Sequence, residues 1–160
     1  MTHQKIKTFL WYDNAAEEAA EFYCSLFADS GIRSISRYPD GGMGNAGAVM
    51  TVEFSLAGVE FVALNGAPMF QFSEATSLTV DCEDQAEVDR LWDKLTANGG
   101  SPSRCGWLKD RWGLSWQIVP RALPSLLSSP HPGVAQRVTA AMLQMNKLDI
   151  ATLERAAADI

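Results

Sequence analysis

The chain has 160 residues, of which 47% are hydrophobic, enough to bury a core in one domain or in two small modules. Its formal net charge of −6 and isoelectric point near 4.8 argue against a nucleic acid as the main partner, because phosphate binding requires a basic face. No apolar run is long enough to cross a bilayer, and the first residues carry no signal-peptide core. We therefore expect a cytoplasmic protein without a membrane partner.

The three cysteines, Cys24, Cys82 and Cys105, do not show paired spacing. This pattern favours reduced thiols over a disulfide framework or a zinc site. The two histidines, His3 and His131, fall near the terminus and in a proline-rich stretch, where surface positions are expected.

The first half of the chain predicts a strand, a helix and three further strands. Ile6 to Tyr12 forms the first strand, and Asn14 with Glu17 has the spacing of a capping box that starts the helix. The helix is expected to end before Asp29. The strands that follow are predicted at Ile32 to Tyr38, Ala48 to Leu56 and Val59 to Leu64.

The same order recurs in the second half. A strand is predicted at Thr76 to Cys82, and Asp84 with Glu87 starts a helix that ends at Asn98. Short strands follow near Ser103 to Leu108 and Leu114 to Val119. The weak repeat places Phe22 over Leu91 and Thr8 over Ser77.

After Pro120 the spacing of Val134, Val138 and Met142 predicts a helix, and Asp149 is expected to cap a last one. We infer an α+β fold of two βαβββ modules, residues 5–66 and 74–120, with a helical tail at 133–158. The whole chain, 1–160, is expected to form a single domain.

Several segments resemble the PhnB-like family, also labelled the 3-demethylubiquinone-9 3-methyltransferase domain family. They include Phe9 to Asp13, Val49 to Phe54, Ala63 to Gly66 and Cys105 to Asp110. That family belongs to the vicinal oxygen chelate superfamily, with glyoxalase I, bleomycin-resistance proteins and extradiol dioxygenases. The resemblance extends to about Ala157. It implies a glyoxalase/bleomycin-resistance-like fold of curved sheets around a cavity, and a homodimer.

In the metal-dependent members of the superfamily, the ligands come from the first and last strands of each module. The matching positions here are Thr8, Ala63, Ser77 and Gln117, none of which is His, Asp or Glu. Such a set is poor for a divalent cation. We therefore expect no metal ion and no other cofactor. A methyl donor is not indicated either, because the glycine-rich segment Gly41 to Gly44 falls between two strands.

Strand alternation predicts which side chains face the cavity. In the first strand, Phe9 and Trp11 are expected to pack on the helix, with Thr8 facing the cavity. In the last, Trp116 and Ile118 pack, and Gln117 faces inward. The predicted ligand-binding residues are Thr8, Glu53, Asn65, Ser77, Trp107 and Gln117.

Glu53 is the candidate general base, if burial raises its pKa. A cross-strand salt bridge or a dimer contact is the alternative for this residue. Overall, the sequence favours a metal-free protein that binds an unknown small organic molecule. The alternatives are an enzyme, either a metal-independent lyase or isomerase or the methyltransferase of the family label, and an interaction module without a ligand.

Overall fold

The computed structural model describes residues 3–158, and the expected domain range of 1–160 extends two residues beyond that part at each end. The chain divides into two compact units, residues 1–71 and 72–160. Each unit combines one four-stranded sheet with at least one helix.

The first unit contains one helix and a sheet with strand order β1-β4-β3-β2. Strand β1 runs parallel to β4, whereas the other neighbours are antiparallel. Ala57 and Gly58, with φ of 47° and 81°, form the two-residue turn between β3 and β4. The elements are β1 Thr8–Tyr12, α1 Ala16–Leu26, β2 Gly31–Arg37, β3 Val49–Leu56 and β4 Val59–Asn65.

The second unit repeats this arrangement, with strand order β5-β8-β7-β6 and β5 parallel to β8. Three helices follow the last strand. The elements are β5 Ser77–Cys82, α2 Gln85–Thr96, β6 Ser101–Pro102, β7 Trp107–Lys109, β8 Ser115–Pro120, α3 Ala122–Leu127, α4 Val134–Met142 and α5 Ile150–Ala158. The predicted α+β fold of two βαβββ modules with C-terminal helices is therefore confirmed.

Two predicted helix starts are confirmed by their hydrogen bonds. Asp84 Oδ1 accepts from the Glu87 N–H at 2.9 Å, and Glu87 Oε2 accepts from the Glu83 N–H at 2.7 Å. At α5, Asp149 Oδ1 accepts from the Thr152 N–H at 2.7 Å. Hydrogen bonding by the Thr152 side chain, together with this backbone bond, lowers the pKa of the Asp149 carboxyl below its ordinary value.

The expected capping box at α1 is wrong. The N-cap is Ala15, one residue after Asn14, and no side chain at that position caps the helix. A more distant residue takes this role. The single strand expected near Ser103 to Leu108 is also wrong, because β6 and β7 are separated by a turn through Cys105 and Gly106.

The three C-terminal helices share a hydrophobic cluster, and polar contacts join them to α2 of the same unit and to one another. The Gln85 side chain donates to the Leu148 carbonyl at 3.0 Å and accepts from the Ile150 N–H at 2.8 Å. Arg137 donates to the last carbonyls of α5, at Ala156 and Ala157. The buried cluster comprises Leu123, Val134, Val138, Leu148 and Leu153.

Within residues 3–158, every helix is too short or too polar to span a bilayer.

Candidate functional site

One face of the second sheet gathers three of the predicted site residues. In the strand register, Ser77 lies beside Ser115, and Gln117 lies beside Trp107. Gln117 Nε2 donates to Ser77 Oγ at 2.9 Å. We call this surface, formed by Ser77, Thr79, Trp107, Ser115 and Gln117, the Gln117 face. Its polar side chains are half-buried or buried, apart from the exposed Thr79.

Two hydrogen-bonding groups on the Gln117 face are unused within the described part of the chain. The Ser115 hydroxyl is buried and has no hydrogen-bond partner. Gln117 donates through its amide nitrogen, but no described residue bonds to its Oε1. Because almost all buried polar groups in proteins are hydrogen-bonded, the buried Ser115 hydroxyl is unusual, and it lies on the same face as the half-buried Gln117 amide.

The loop between β7 and β8 is held by Asp110, a residue that the sequence analysis did not single out. Its side chain is almost fully buried. Oδ1 accepts from the N–H groups of Trp112 and Leu114, at 2.9 and 3.1 Å, and Oδ2 accepts from the Trp116 indole at 2.9 Å. Asp110 thereby fixes the start of β8, the strand that carries Gln117. Its position two residues before Trp112 in a tight turn is the available sequence signal.

The predicted faces of β1 are wrong. Leu10 and Tyr12 are buried, and the Tyr12 hydroxyl lies 2.9 Å from that of Tyr23 in α1, so this face packs on the helix. Phe9, on the other face, is 62% exposed. Thr8 is exposed and shares the helix side with Leu10 by alternation.

Glu53 lies in a cross-strand network on the first sheet. It accepts from Ser34 Oγ at 3.2 Å and lies 3.8 Å from Lys7 Nζ. Lys7 also lies 3.4 Å from Glu60, which pairs with Arg33 at 2.9 Å. The Glu53 side chain is 46% exposed, so the burial that the general-base hypothesis requires is lacking. These contacts match the salt-bridge alternative.

Asn65 is buried at the end of β4, and both polar atoms of its side chain are hydrogen-bonded to backbone groups. Its Oδ1 accepts from the Ala16 N–H at 2.8 Å, and its Nδ2 donates to the Val49 carbonyl at 3.1 Å. Its own carbonyl accepts from the Tyr38 hydroxyl at 2.5 Å. Asn65 therefore supplies the cap of α1 that Asn14 was expected to give.

The residues at the superfamily's metal positions do not fit a divalent cation. Ala63 is fully buried and has no donor atom, whereas the Ser77 hydroxyl and the Gln117 amide are bonded to each other. In residues 3–158, no three His, Cys, Asp or Glu side chains are grouped to hold a metal ion. Two hydroxyls and an amide lack the charge that offsets desolvation of the cation.

The glycine-rich segment Gly41 to Gly44 joins β2 and β3, two antiparallel strands. It does not lead into a helix N-terminus, which is the feature that holds a methyl donor's charged groups in strand–turn–helix sites.

Comparison with known proteins identifies the protein family. A family model described as 3-demethylubiquinone-9 3-methyltransferase matches residues 4–119. The chain belongs to this PhnB-like family. A solved structure of the PhnB protein from Bacillus cereus is 40% identical, with a TM-score of 0.67, over 73% of this chain and 99% of that one. No curated protein matches the chain.

Two further structures share the fold of the PhnB-like family at low identity. A protein from Pseudomonas aeruginosa is 18% identical over 74% of this chain and 98% of its own, with a TM-score of 0.59. The fosfomycin resistance protein FosX from Listeria monocytogenes, in complex with Mn(II) and sulfate, is 14% identical with a TM-score of 0.50. It covers 74% of this chain and 92% of its own.

The C-terminal helices lie outside the family match, which ends at residue 119. The expectation that the resemblance reaches Ala157 is therefore wrong. Helices α3, α4 and α5 add to the PhnB-like module a segment that the Bacillus cereus protein, already covered over 99% of its length, does not share.

Proposed function

We propose that this PhnB-like protein binds a small organic molecule on the Gln117 face without a resident metal ion. The observation that carries this proposal is the pair of unused groups, the Ser115 hydroxyl and Gln117 Oε1, two residues apart on β8. A molecule with one donor and one acceptor, such as a carboxamide or a hydroxylated ring, complements them.

Trp107 supports the same assignment. Its half-buried side chain neighbours Gln117 in the strand register, so it supplies apolar surface next to the polar pair. An aromatic wall beside a few polar groups is the composition of small-molecule sites. Lys109, farther along β7, forms an ion pair with Glu74 at 2.7 Å, so its charge is already balanced at the edge of the face.

The proposal is tested by a thermal-shift screen of heterocyclic carboxamides and phenols in the presence of EDTA, with calorimetric titration of the hits. We expect at least one compound to bind the wild-type protein. Affinity should fall about ten-fold in Ser115→Ala and in Gln117→Leu, because each removes one bond to the ligand. Ser36→Ala, on the first sheet, is the matched control.

Stability separates a ligand role from a structural one. Since the Ser115 hydroxyl has no partner, Ser115→Ala should leave the free energy of unfolding unchanged or raise it slightly. A screen without hits, hits that survive both substitutions, or binding that EDTA abolishes would each overturn the proposal.

We also propose that the protein forms a homodimer. Ile6, two residues before β1, and Phe9, in this edge strand of the first sheet, are 85% and 62% exposed and supply apolar surface for a second copy. Light scattering during size-exclusion chromatography tests this. A monomer at high concentration would refute it.

A cytoplasmic location is a third proposal, supported by the three free cysteines, which are typical of a reducing compartment. Fractionation of the source cells tests it, and recovery in a secreted fraction would contradict it.

A further inference from the structure

A groove of about 880 Å³ lies in the first unit, and its lining includes no residue of the Gln117 face. It opens where β1 and β4 end and where residues 38–48 connect β2 to β3. Its volume is within the range of small-molecule sites. Aromatic and flexible apolar side chains form most of its wall, among them Trp11, Tyr38, Met43, Met50, Leu64 and Met69.

The indole of Trp11 is held in place by its neighbours. Its Nε1 donates to the Ala67 carbonyl at 2.9 Å, and the Phe70 ring meets it edge-on at 4.9 Å between centroids. A Cβ on Gly66 would lie 2.0 Å from the indole, so the absence of a side chain there lets the backbone pass directly against the ring. The indole therefore offers a ligand π surface and no free N–H.

Tyr38, the residue that follows β2, is fixed in a similar way. Its hydroxyl donates to the Asn65 carbonyl at 2.5 Å, and a Cβ on Gly44 would lie 2.5 Å from its ring. Since both rings have their polar atoms bonded to the protein, they contribute π and apolar surface to the groove. Aromatic faces with a polarizable methionine sulfur nearby favour a flat ligand.

Charge decides which flat ligand fits. Asp13 is the one charged side chain that lines the groove, and among the described residues no cation pairs with it. Asn14, Asn45 and Asn65 also line the groove, and the Asn65 amide is already hydrogen-bonded within the fold. A carboxylate in a groove that Trp and Tyr rings also line attracts positive charge, since ring faces carry partial negative charge. We propose that this groove binds a flat organic cation, such as a protonated aromatic N-heterocycle.

The test compares two dyes of the same shape. At neutral pH, 9-aminoacridine is a cation and acridine is uncharged. Both are titrated into the full-length protein, with calorimetry as the readout. We expect 9-aminoacridine to bind about five-fold more tightly than acridine, the ratio that an exposed cation–π or carboxylate contact of about 1 kcal/mol gives.

Substitutions place the site. Asp13→Asn should reduce the affinity for 9-aminoacridine about five-fold and leave acridine unaffected. Asp40→Asn makes the same charge change in the neighbouring loop, outside the lining, and should change neither. Trp11→Leu should weaken both dyes, with its melting curve recorded to confirm folding. Ser115→Ala should change neither, so this site and the Gln117 face are judged separately.

The proposal is overturned if the two dyes bind equally, if Asp40→Asn weakens binding as much as Asp13→Asn, or if the anionic dye anilinonaphthalene sulfonate binds more tightly than 9-aminoacridine. It is also overturned if folded Trp11→Leu retains full affinity, because the indole would then lie outside the site.

Discussion

The side chain of Asn65 caps the helix that begins at Ala16: its Oδ1 accepts the Ala16 backbone N–H at 2.8 Å. The two residues are 49 positions apart. The same amide donates to the Val49 carbonyl, so it joins the start of α1 to strands β3 and β4. The first N–H groups of a helix have no acceptor within the helix. A side-chain acceptor from a distant strand satisfies such a group as well as a local cap does.

Replacing Asn65 should therefore destabilise the first unit. We expect Asn65→Ala to lower the free energy of unfolding by about 2 kcal/mol, because it removes a helix cap and leaves the half-buried Val49 carbonyl without this bond. Equilibrium urea unfolding measures the change. The matched control is Asn14→Ala, which should cost less than about 0.5 kcal/mol since Asn14 makes no cap bond. Equal costs would show that Asn65 is not the cap.

The helix starts illustrate what the sequence can and cannot predict. At α2 the residues that satisfy the first N–H groups, Asp84 and Glu87, lie within one turn of each other, so their spacing alone identifies the cap. At α1 the same spacing occurs in Asn14 and Glu17, but the partner comes from β4. Local sequence spacing cannot reveal a capping residue that is distant in the chain, because Asn65 comes close to the start of α1 only in the folded structure.

Strand faces show the same limit. In β8 the large apolar residues Trp116 and Ile118 alternate with smaller or polar ones, so the buried side was predictable. In β1 both sides carry large apolar groups. The Tyr12–Tyr23 contact, a tertiary interaction, decides that Phe9 is on the exposed side. The order of strands and helices was predictable because it depends on the repeated pattern along the chain.

The Asp110 network should make a large contribution to the stability of the second unit. We expect Asp110→Asn to cost about 2 kcal/mol, because an amide cannot accept from both backbone N–H groups and from the Trp116 indole at once. Urea unfolding of the single variants and of the double variant with Trp116→Phe gives the coupling energy. If Asp110→Asn costs the same in the Trp116→Phe background, the indole bond makes no contribution.

Restoring one carboxylate at the superfamily's metal position should not restore metal binding. In Gln117→Glu the other three positions are still Thr8, Ala63 and Ser77, which provide two hydroxyls and no further charge. We expect neither Mn²⁺ nor Zn²⁺ to raise the melting temperature of this variant or of the wild type. The double variant Ser77→His with Gln117→Glu, which has two strong ligands, is the comparison. Stoichiometric metal in the purified wild-type protein would contradict the conclusion that these side chains do not fit a divalent cation.

The Cys82 thiol should be the least reactive of the three cysteines. It is fully buried, and burial raises its pKa from 9.0 to about 12, with the charges of Glu87 and Asp81 acting in the same direction. Because the thiolate is the reactive form, iodoacetamide should modify Cys105 and Cys24, both half-buried, before Cys82 in the native protein. Mass spectrometry of the digested protein measures the order, and labelling in urea, where the three should react alike, is the control.

The raised pKa of Cys82 also sets the sign of a pH effect on stability. The folded state holds the thiol proton more tightly than the unfolded chain, so this contribution is fully present below about pH 9 and is lost as the pH rises toward 12. Urea unfolding of the wild type and Cys82→Ala across this alkaline range should show a steeper loss of stability in the wild type. Parallel pH profiles, or alkylation of native Cys82 as fast as Cys105, would show that the thiol is not held in its protonated form.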